Sequence, residues 1–503
     1  MSRAFFGHAG RALAMAACVA SVPIAVLVLI QHSFAVPLAA FRPFFNDEVT
    51  YWHQAATFGA AGFSGGFYTS AELTNASGLT PFGAHGPGFP TLYGVFGRVF
   101  SWQMYSPVLA NFTAISSSVW LCLAVARATY GRALLVAAVL CTIWPLLMWA
   151  PTAMQESLHH AGAIAMAGCV AAVLLPGSHR LVTVVGWPLL AGLAFVRPSW
   201  LVLMPVWAVA STSGQPRRIV ITTLAGAALL SVLLLVAYGR TTAPFVPPFF
   251  FLRAAAGALD MAAIWSNLRA NLAMTVDLGA YETVEVLLRF QYWTWIVVAA
   301  VPVAIGVVRR AHGVPASWPH LAAGIVAMGA AMAMMLTLYS LTNATEHRVL
   351  SAFLLFATVL AALAPGRLAP VLAAALVVSQ LAFAGPFLAA FKEERQRNFV
   401  WDRRGYAELT AVLSGAGVAF RPGADRWCNT MLVSQFPPFL TAVPPGIGLS
   451  VVREPDGLRL PARSRYLLLD DKAWADFSRP PRAEPLAQLP YGTLYRNLDA
   501  ACP

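Results

Sequence analysis

Residues 219–238 read IVITTLAGAALLSVLLLVAY, twenty positions without a charge, bounded by Arg217 and Arg218 before and Arg240 after. At 1.5 Å per residue such a helix covers about 30 Å, the thickness of a bilayer's hydrocarbon core. Similar runs recur on both sides of it. Spans are expected near 12–31, 106–126, 133–151, 158–176, 181–196, 199–213, 219–238, 291–308, 320–341, 349–365 and 368–389. The expected fold class is an α-helical polytopic membrane protein with about eleven spans. Composition agrees. The 503 residues are 58% hydrophobic and 11% charged, where a soluble chain carries about 25% charge.

A net charge of +12 would suit nucleic acid, but the arginines stand singly or in pairs between apolar runs, not on one polar face. Lys392 and Lys472 are the only lysines. Arg3 and Arg11 precede the apolar stretch Ala12–Ile30, which is long for a secretion signal and lacks a small-residue cleavage site after it. It reads as an uncleaved first span. Short basic loops mark the cytoplasmic side. They carry Arg127 and Arg132, Arg180, Arg217 and Arg218, Arg309 and Arg310, and Arg367. The N-terminus is then cytoplasmic and the tail lies outside, in the periplasm if the membrane is a Gram-negative inner membrane.

Two domains are expected. Residues 1–390 form the membrane part, with long outer loops at 31–105 and 240–290. In the first loop, Thr91–Phe100 suits a surface amphipathic helix. In the second, Arg240, Arg253, Arg269 and Arg289 face Asp260, Asp277, Glu282 and Glu285 in ordinary ion pairs. Residues 391–503 are Pro-rich with mixed charge and read as a small α/β domain. Its strands are expected at Met431–Ser434, Gly448–Val452 and Tyr466–Leu469, its helices at Gly405–Leu413 and Lys472–Phe477. Cys18, Cys122, Cys141 and Cys169 sit in spans as small hydrophobes. Cys428 and Cys502, alone in the tail, are expected to pair as a disulfide in an oxidising compartment.

Ionisable groups near a bilayer are costly and tend to be functional. Asp47 and Glu48 follow the first span among aromatics, where partial desolvation suits a general base; the same residues could also start a helix. His85 precedes Gly86-Pro87-Gly88-Phe89-Pro90, either a turn or a donor to a phosphate or sugar. Gln155-Glu156-Ser157 precedes a span, where the helix dipole alone would favour an acid. Arg197-Pro198 and Glu346-His347-Arg348 place arginines in short outer loops, to snorkel or to grip a phosphate. No Walker loop, dinucleotide fingerprint, zincin motif or GxSxG elbow occurs, which argues against nucleotide-fuelled chemistry.

Taken in order, these motifs resemble the GT-C superfamily of membrane glycosyltransferases, the group with protein O-mannosyltransferases and the lipid A aminoarabinose transferase. The acidic pair is Asp47-Glu48 with Tyr51 following. His85-Gly86-Pro87-Gly88-Phe89-Pro90-Thr91-Leu92-Tyr93 approximates the family's Pro-Pro-Leu-Tyr segment, with Gly88 between the prolines. Glu156 opens the fourth span, Arg197-Pro198 follows the fifth, and His347-Arg348-Val349-Leu350 loosely matches a late segment. The resemblance implies inverting transfer from a polyprenyl-phosphate-linked sugar to the hydroxyl of a glycan, lipid or protein acceptor at the outer membrane face. It implies Asp47 as the base, with Glu48 orienting the acceptor, and Tyr51, His85, Glu156, Arg197, His347 and Arg348 binding substrate. Some members use a divalent metal. Asp47-Glu48 without a nearby partner acid argues for none, while Glu156 could complete a site. A lipid or solute transporter is the rival class, although its repeated halves are not evident.

Overall fold

The computed structural model describes residues 3–64, 82, 86–175, 180–241, 260–276, 283–308, 318–339, 341, 348–400, 404–434, 438–451, 461–477 and 479–502. Its helices begin with α1 (Arg3–Phe34), α2 (Asn46–Ala61), α3 (Gly88–Phe100), α4 (Ser106–Val125), α5 (Tyr130–Thr142) and α6 (Trp144–Trp149). There follow α7 (Glu156–Leu174), α8 (Arg180–Val196), α9 (Leu203–Ser211), α10 (Arg217–Thr241), α11 (Met261–Val276) and α12 (Thr283–Val308). The last are α13 (Trp318–Leu338), α14 (Ser351–Leu363), α15 (Leu368–Ala382), α16 (Ala384–Phe399), α17 (Arg404–Gly415) and the short α18 (Asp471–Ala475).

Among the described residues each expected span falls largely on helix, but not always on one helix. The run 133–151 divides into α5 and α6 at Ile143, with Pro145 in the first turn of α6. The run 199–213 begins as a 3-10 turn, Pro198–Val202, before α9. Proline at a first helical position is tolerated because its missing N–H has no partner there anyway. Among the described residues, five helices are long and apolar enough to cross a bilayer unaided: Met15–Phe34, Ser106–Val125, Glu156–Leu174, Arg217–Thr241 and Trp318–Thr337. Shorter apolar helices pack beside them, and the chain is a multi-pass membrane protein.

The bundle is centred on α7 and α14, which pack on one another and are buried along nearly their whole lengths. The sequence of α7, rich in Ala and Gly, lets α4 and α8 approach it closely. A Cβ added at Gly168 would lie 2.4 Å from the Cα of Cys122 on α4, and one at Gly162 would lie 2.4 Å from a Leu193 methyl on α8. By contrast α10 carries exposed Leu229, Val232 and Leu233 on its outer face. Large aliphatic side chains there meet lipid without penalty.

The tail holds a five-stranded sheet ordered β2-β1-β3-β5-β4, from β1 (Thr430–Val433), β2 (Gly448–Val451), β3 (Tyr466–Leu469), β4 (Ala483–Leu489) and β5 (Gly492–Asn497). β1 runs parallel to β2 and β3, while β5 is antiparallel to β3 and β4. The first three strands match the sequence reading. The β4–β5 hairpin was not expected, because Pro485 interrupts its pattern. The strand tolerates that proline at the sheet edge, beside an irregularity between Pro485 and Ala487. A disulfide joins Cys428 to Cys502, with Cα atoms 5.5 Å apart.

Position 390 falls inside α16, which continues unbroken to Phe399. Phe399 stacks on Phe34 at the end of α1, with ring centroids 5.3 Å apart. The first outer segment is also bound to the tail. Val49 of α2 sits in the tail's own apolar core with Leu409, Met431 and Leu440. The Gly446 backbone N–H donates to the Thr57 hydroxyl at 3.2 Å. So α2 is shared between the bundle and the tail.

Candidate functional site

The site forms where the N-terminal ends of α2, α7 and α14 meet. Asp47 and Glu48 both lie in the first turn of α2. Consecutive helical residues point about 100° apart, and the two acids part company accordingly. Glu48 is fully buried. Its Oε2 accepts from the backbone N–H of Phe44 (2.9 Å) and Phe45 (3.2 Å) and from Nδ2 of Asn398 (2.8 Å). Its Oε1 accepts from the Ala153 N–H at 3.1 Å. The carboxylate thus ties together the start of α2, the 150–155 loop and the end of α16. Asp47 turns the other way, its side chain 42% exposed, and accepts from Nη2 of Arg348 at 3.2 Å.

Arg348 leads into α14 and bridges two acids. Its Nε lies 3.0 Å from Oε1 of Glu156, the first residue of α7. Arg197, extended at the end of α8, points Nη2 at the same oxygen from 3.6 Å. Glu156 itself is nearly inaccessible. Among the described residues neither of its oxygens receives a well-aligned hydrogen bond from another residue, and the charges of the two cations, with its own backbone N–H, hold it. Arg197 and Arg348, distant in sequence, therefore converge on one carboxylate.

Other side chains fix this cluster. The Ser351 hydroxyl donates to the Arg348 carbonyl at 2.6 Å and faces Nε2 of His160 at 2.8 Å. Its one proton is already used, so His160 is the donor in the second bond. Trp200 Nε1–H donates to His159 Nδ1 at 2.8 Å. The guanidinium of Arg348 lies 5.5 Å from the Trp149 ring centroid, and that of the buried Arg395 lies 5.1 Å from it. Tyr93 donates to Asn111, whose Nδ2 in turn donates to the carbonyls of Ala150 and Thr152. Tyr51 is buried against Phe89. Burial, then the nearby Asp47 and Glu156 carboxylates, push its phenol well up. It keeps its proton as a donor.

An apolar groove of about 580 Å³ opens between α3, α4, α7 and α8. Small residues shape it, among them Gly88, Ala114, Ser117, Gly162 and Ala165, and its wall includes Val196, next to Arg197. A second hollow of about 510 Å³, lined by Val276, Phe290 and Trp293, lies along α11 and α12 and carries no ionisable lining residue.

No family model and no curated relative matches the sequence. Solved structures do match. The oligosaccharyltransferase of Archaeoglobus fulgidus, solved with zinc and sulfate, aligns at TM-score 0.50 and 13% identity, over 95% of this chain and 73% of that one. The oligosaccharyltransferase AglB from the same organism, solved with an inhibitory peptide and a dolichol-phosphate, aligns at TM-score 0.53 and 12% identity, over 90% and 69%. ArnT from Cupriavidus metallidurans, bound to undecaprenyl phosphate, covers 96% and 97% at TM-score 0.43 and 13% identity. The chain shares its fold with these archaeal oligosaccharyltransferases.

Within this fold, Asp47, Tyr51, Glu156, Arg197 and Arg348 come together, while Glu48 stands apart in its own hydrogen-bonded knot. His85 and His347 lie outside the described residues. Gly86 follows His85 at φ +79°, where a Cβ would collide with the Tyr238 ring at 2.4 Å. Sequence reasoning missed Trp149, Arg395 and Asn398, which belong to neither a motif nor an outer loop. A fully buried arginine at the end of α16 has a visible signal only once the partner ring is known. Among the described residues no three His, Cys, Asp or Glu side chains gather as metal ligands. Arg348 stands between Asp47 and Glu156, so a divalent cation there would meet a guanidinium in place of a third ligand.

Proposed function

We propose that this chain is an inverting glycosyltransferase that moves a sugar from a polyprenyl-phosphate donor to an acceptor hydroxyl. The observation that carries the reading is the single cluster in which Arg197 and Arg348 converge beside an accessible carboxylate, Asp47. In this reading the two guanidinium groups hold the donor phosphate as a fork. The groove beside Val196 receives the first isoprene units. Asp47 takes the proton of the acceptor hydroxyl as that oxygen attacks the anomeric carbon. The bond from that carbon to the phosphate oxygen breaks, and its electron pair stays on the phosphate. Tyr51 donates towards the charge that develops there.

The dolichol-phosphate held by the archaeal neighbour AglB supports polyprenyl phosphate as the donor class. In this reading Glu48 serves the scaffold, its carboxylate held by four amide donors. The archaeal enzyme was solved with zinc, but the transfer here is written without a metal, and activity that survives EDTA is the check. The arginine bias of the loops supports a reaction at the outer face of the membrane with the N-terminus cytoplasmic, the periplasmic face if the membrane is a Gram-negative inner membrane. The acceptor is a glycan, lipid or protein hydroxyl.

The test is release of polyprenyl phosphate from a panel of lipid-linked sugars by the purified full-length chain. Sugar transfer with stoichiometric polyprenyl phosphate is expected. Movement of intact lipid between leaflets with no transfer would overturn the proposal in favour of a transporter.

A further inference from the structure

We propose that Glu156 is a built-in competitor for the phosphate, which holds the two arginines when the site is empty and drives the spent lipid phosphate out after transfer. This rests on the glycosyltransferase reading above. Glu156 is a positioning residue, acting through Arg197 and Arg348, and it does not touch the reacting atoms.

The argument starts from charge. Two guanidinium groups face two carboxylates, Asp47 and Glu156, so their charges balance. A sugar phosphodiester brings one negative charge. Transfer turns it into a phosphate monoester, whose second ionisation near pH 6 leaves it close to a dianion at neutral pH. Bare arginines would bind that product more tightly than the donor, and the enzyme would stall on it. Glu156 opposes this in two ways. It is buried, so its charge is poorly screened. It also binds by charge without a well-aligned hydrogen bond, so the arginines can leave it and return without breaking a directed contact. The same exchange acts on Asp47. Its carboxylate is engaged by Arg348 at 3.2 Å, and a donor phosphate that draws Arg348 away frees the base only when there is something to attack.

The experiment measures equilibrium binding of undecaprenyl phosphate to the purified full-length wild type and to Glu156→Gln. It also compares single-turnover with steady-state transfer. Tighter binding by about tenfold is expected for the variant, a typical size for coupling between adjacent sites. Single-turnover transfer should persist while steady-state turnover falls. Binding that is unchanged or weaker in a folded variant overturns the proposal. If the variant does not fold, the wild type still decides, by comparing undecaprenyl phosphate with its methyl diester, a mimic of the donor's single charge. The proposal requires the two affinities to agree within about threefold; a dianion bound about tenfold tighter sinks it. A wild type that binds neither lipid removes the underlying glycosyltransferase reading instead.

Discussion

Glu48 and Glu156 are both buried carboxylates in the first turn of a helix, and their surroundings differ in kind. Glu48 is met by four neutral N–H donors, three on Oε2 and one on Oε1. Glu156 is met by two full cations without good hydrogen-bond alignment. Directed neutral donors define one geometry and resist exchange. Cations attract over a range of angles and accept another anion in place of the first. The first arrangement makes a scaffold, and the second makes a site that can be occupied and vacated.

The sharpest way to break this contrast is to remove each α2 acid in turn. Asp47→Asn keeps the shape but cannot take a proton, so turnover should fall by about 10²–10⁴ with unfolding unchanged. Glu48→Ala should do the reverse. It leaves four buried donors without an acceptor, costing roughly 3 kcal/mol or more of stability, while the folded fraction keeps its activity. Denaturation and turnover measured on the same samples separate the two. A dead but stable Glu48 variant beside an active Asp47→Asn would show that the wrong acid has been assigned.

Arg348→Lys tests whether the bridge needs a planar fork. One ammonium cannot reach Asp47 and Glu156 as a guanidinium does, and kcat/KM should fall about 10²-fold. Equal activity would mean that a point charge suffices. A smaller effect is expected from Trp149→Leu, which removes the ring shared by Arg348 and Arg395. At about 1 kcal/mol for such a contact, KM for donor should rise roughly fivefold with kcat nearly unchanged.

The smallest effect concerns pH and lies on the opposite face of α2. His53 is buried and bonded to the Val443 backbone of the tail, and burial depresses its pKa to about 4. The folded protein keeps it neutral while the unfolded chain protonates it near pH 6.5. Its stabilisation is therefore fully present above about pH 6.5 and is lost as pH falls towards 4. Proteolysis of the tail across that range should accelerate in the wild type and respond less in His53→Gln. Identical pH profiles would remove His53 from the docking.

The fold was largely legible because a bilayer imposes one demand, and long charge-free runs such as 219–238 satisfy it visibly. Breaks inside spans were less legible. Pro145 and Pro198 mark them, but a proline in a first turn reads the same as one that ends a helix. At the site, Asp47, Glu156, Arg197 and Arg348 could be found because each is a charge where charge is costly. Their arrangement could not, since Arg348 joining Asp47 and Glu156 depends on packing between distant helices. Glu48 shows the other limit. The sequence read both adjacent acids as facing substrate, and the helix phase and the amides around Glu48 are what turn it into the scaffold.

The bond from Asn398 to Glu48 joins residues 350 positions apart. On a ribosome adding about 5–20 residues per second, the acceptor exists for roughly 20–70 s before its donor is made. During that interval the first turn of α2 lacks one of its fixing bonds, and Val49 lacks the apolar residues of the tail that will cover it. A nascent or truncated chain therefore lacks contacts that fix the turn carrying Asp47, and the cluster around it is completed only when the last part of the protein has docked on the first.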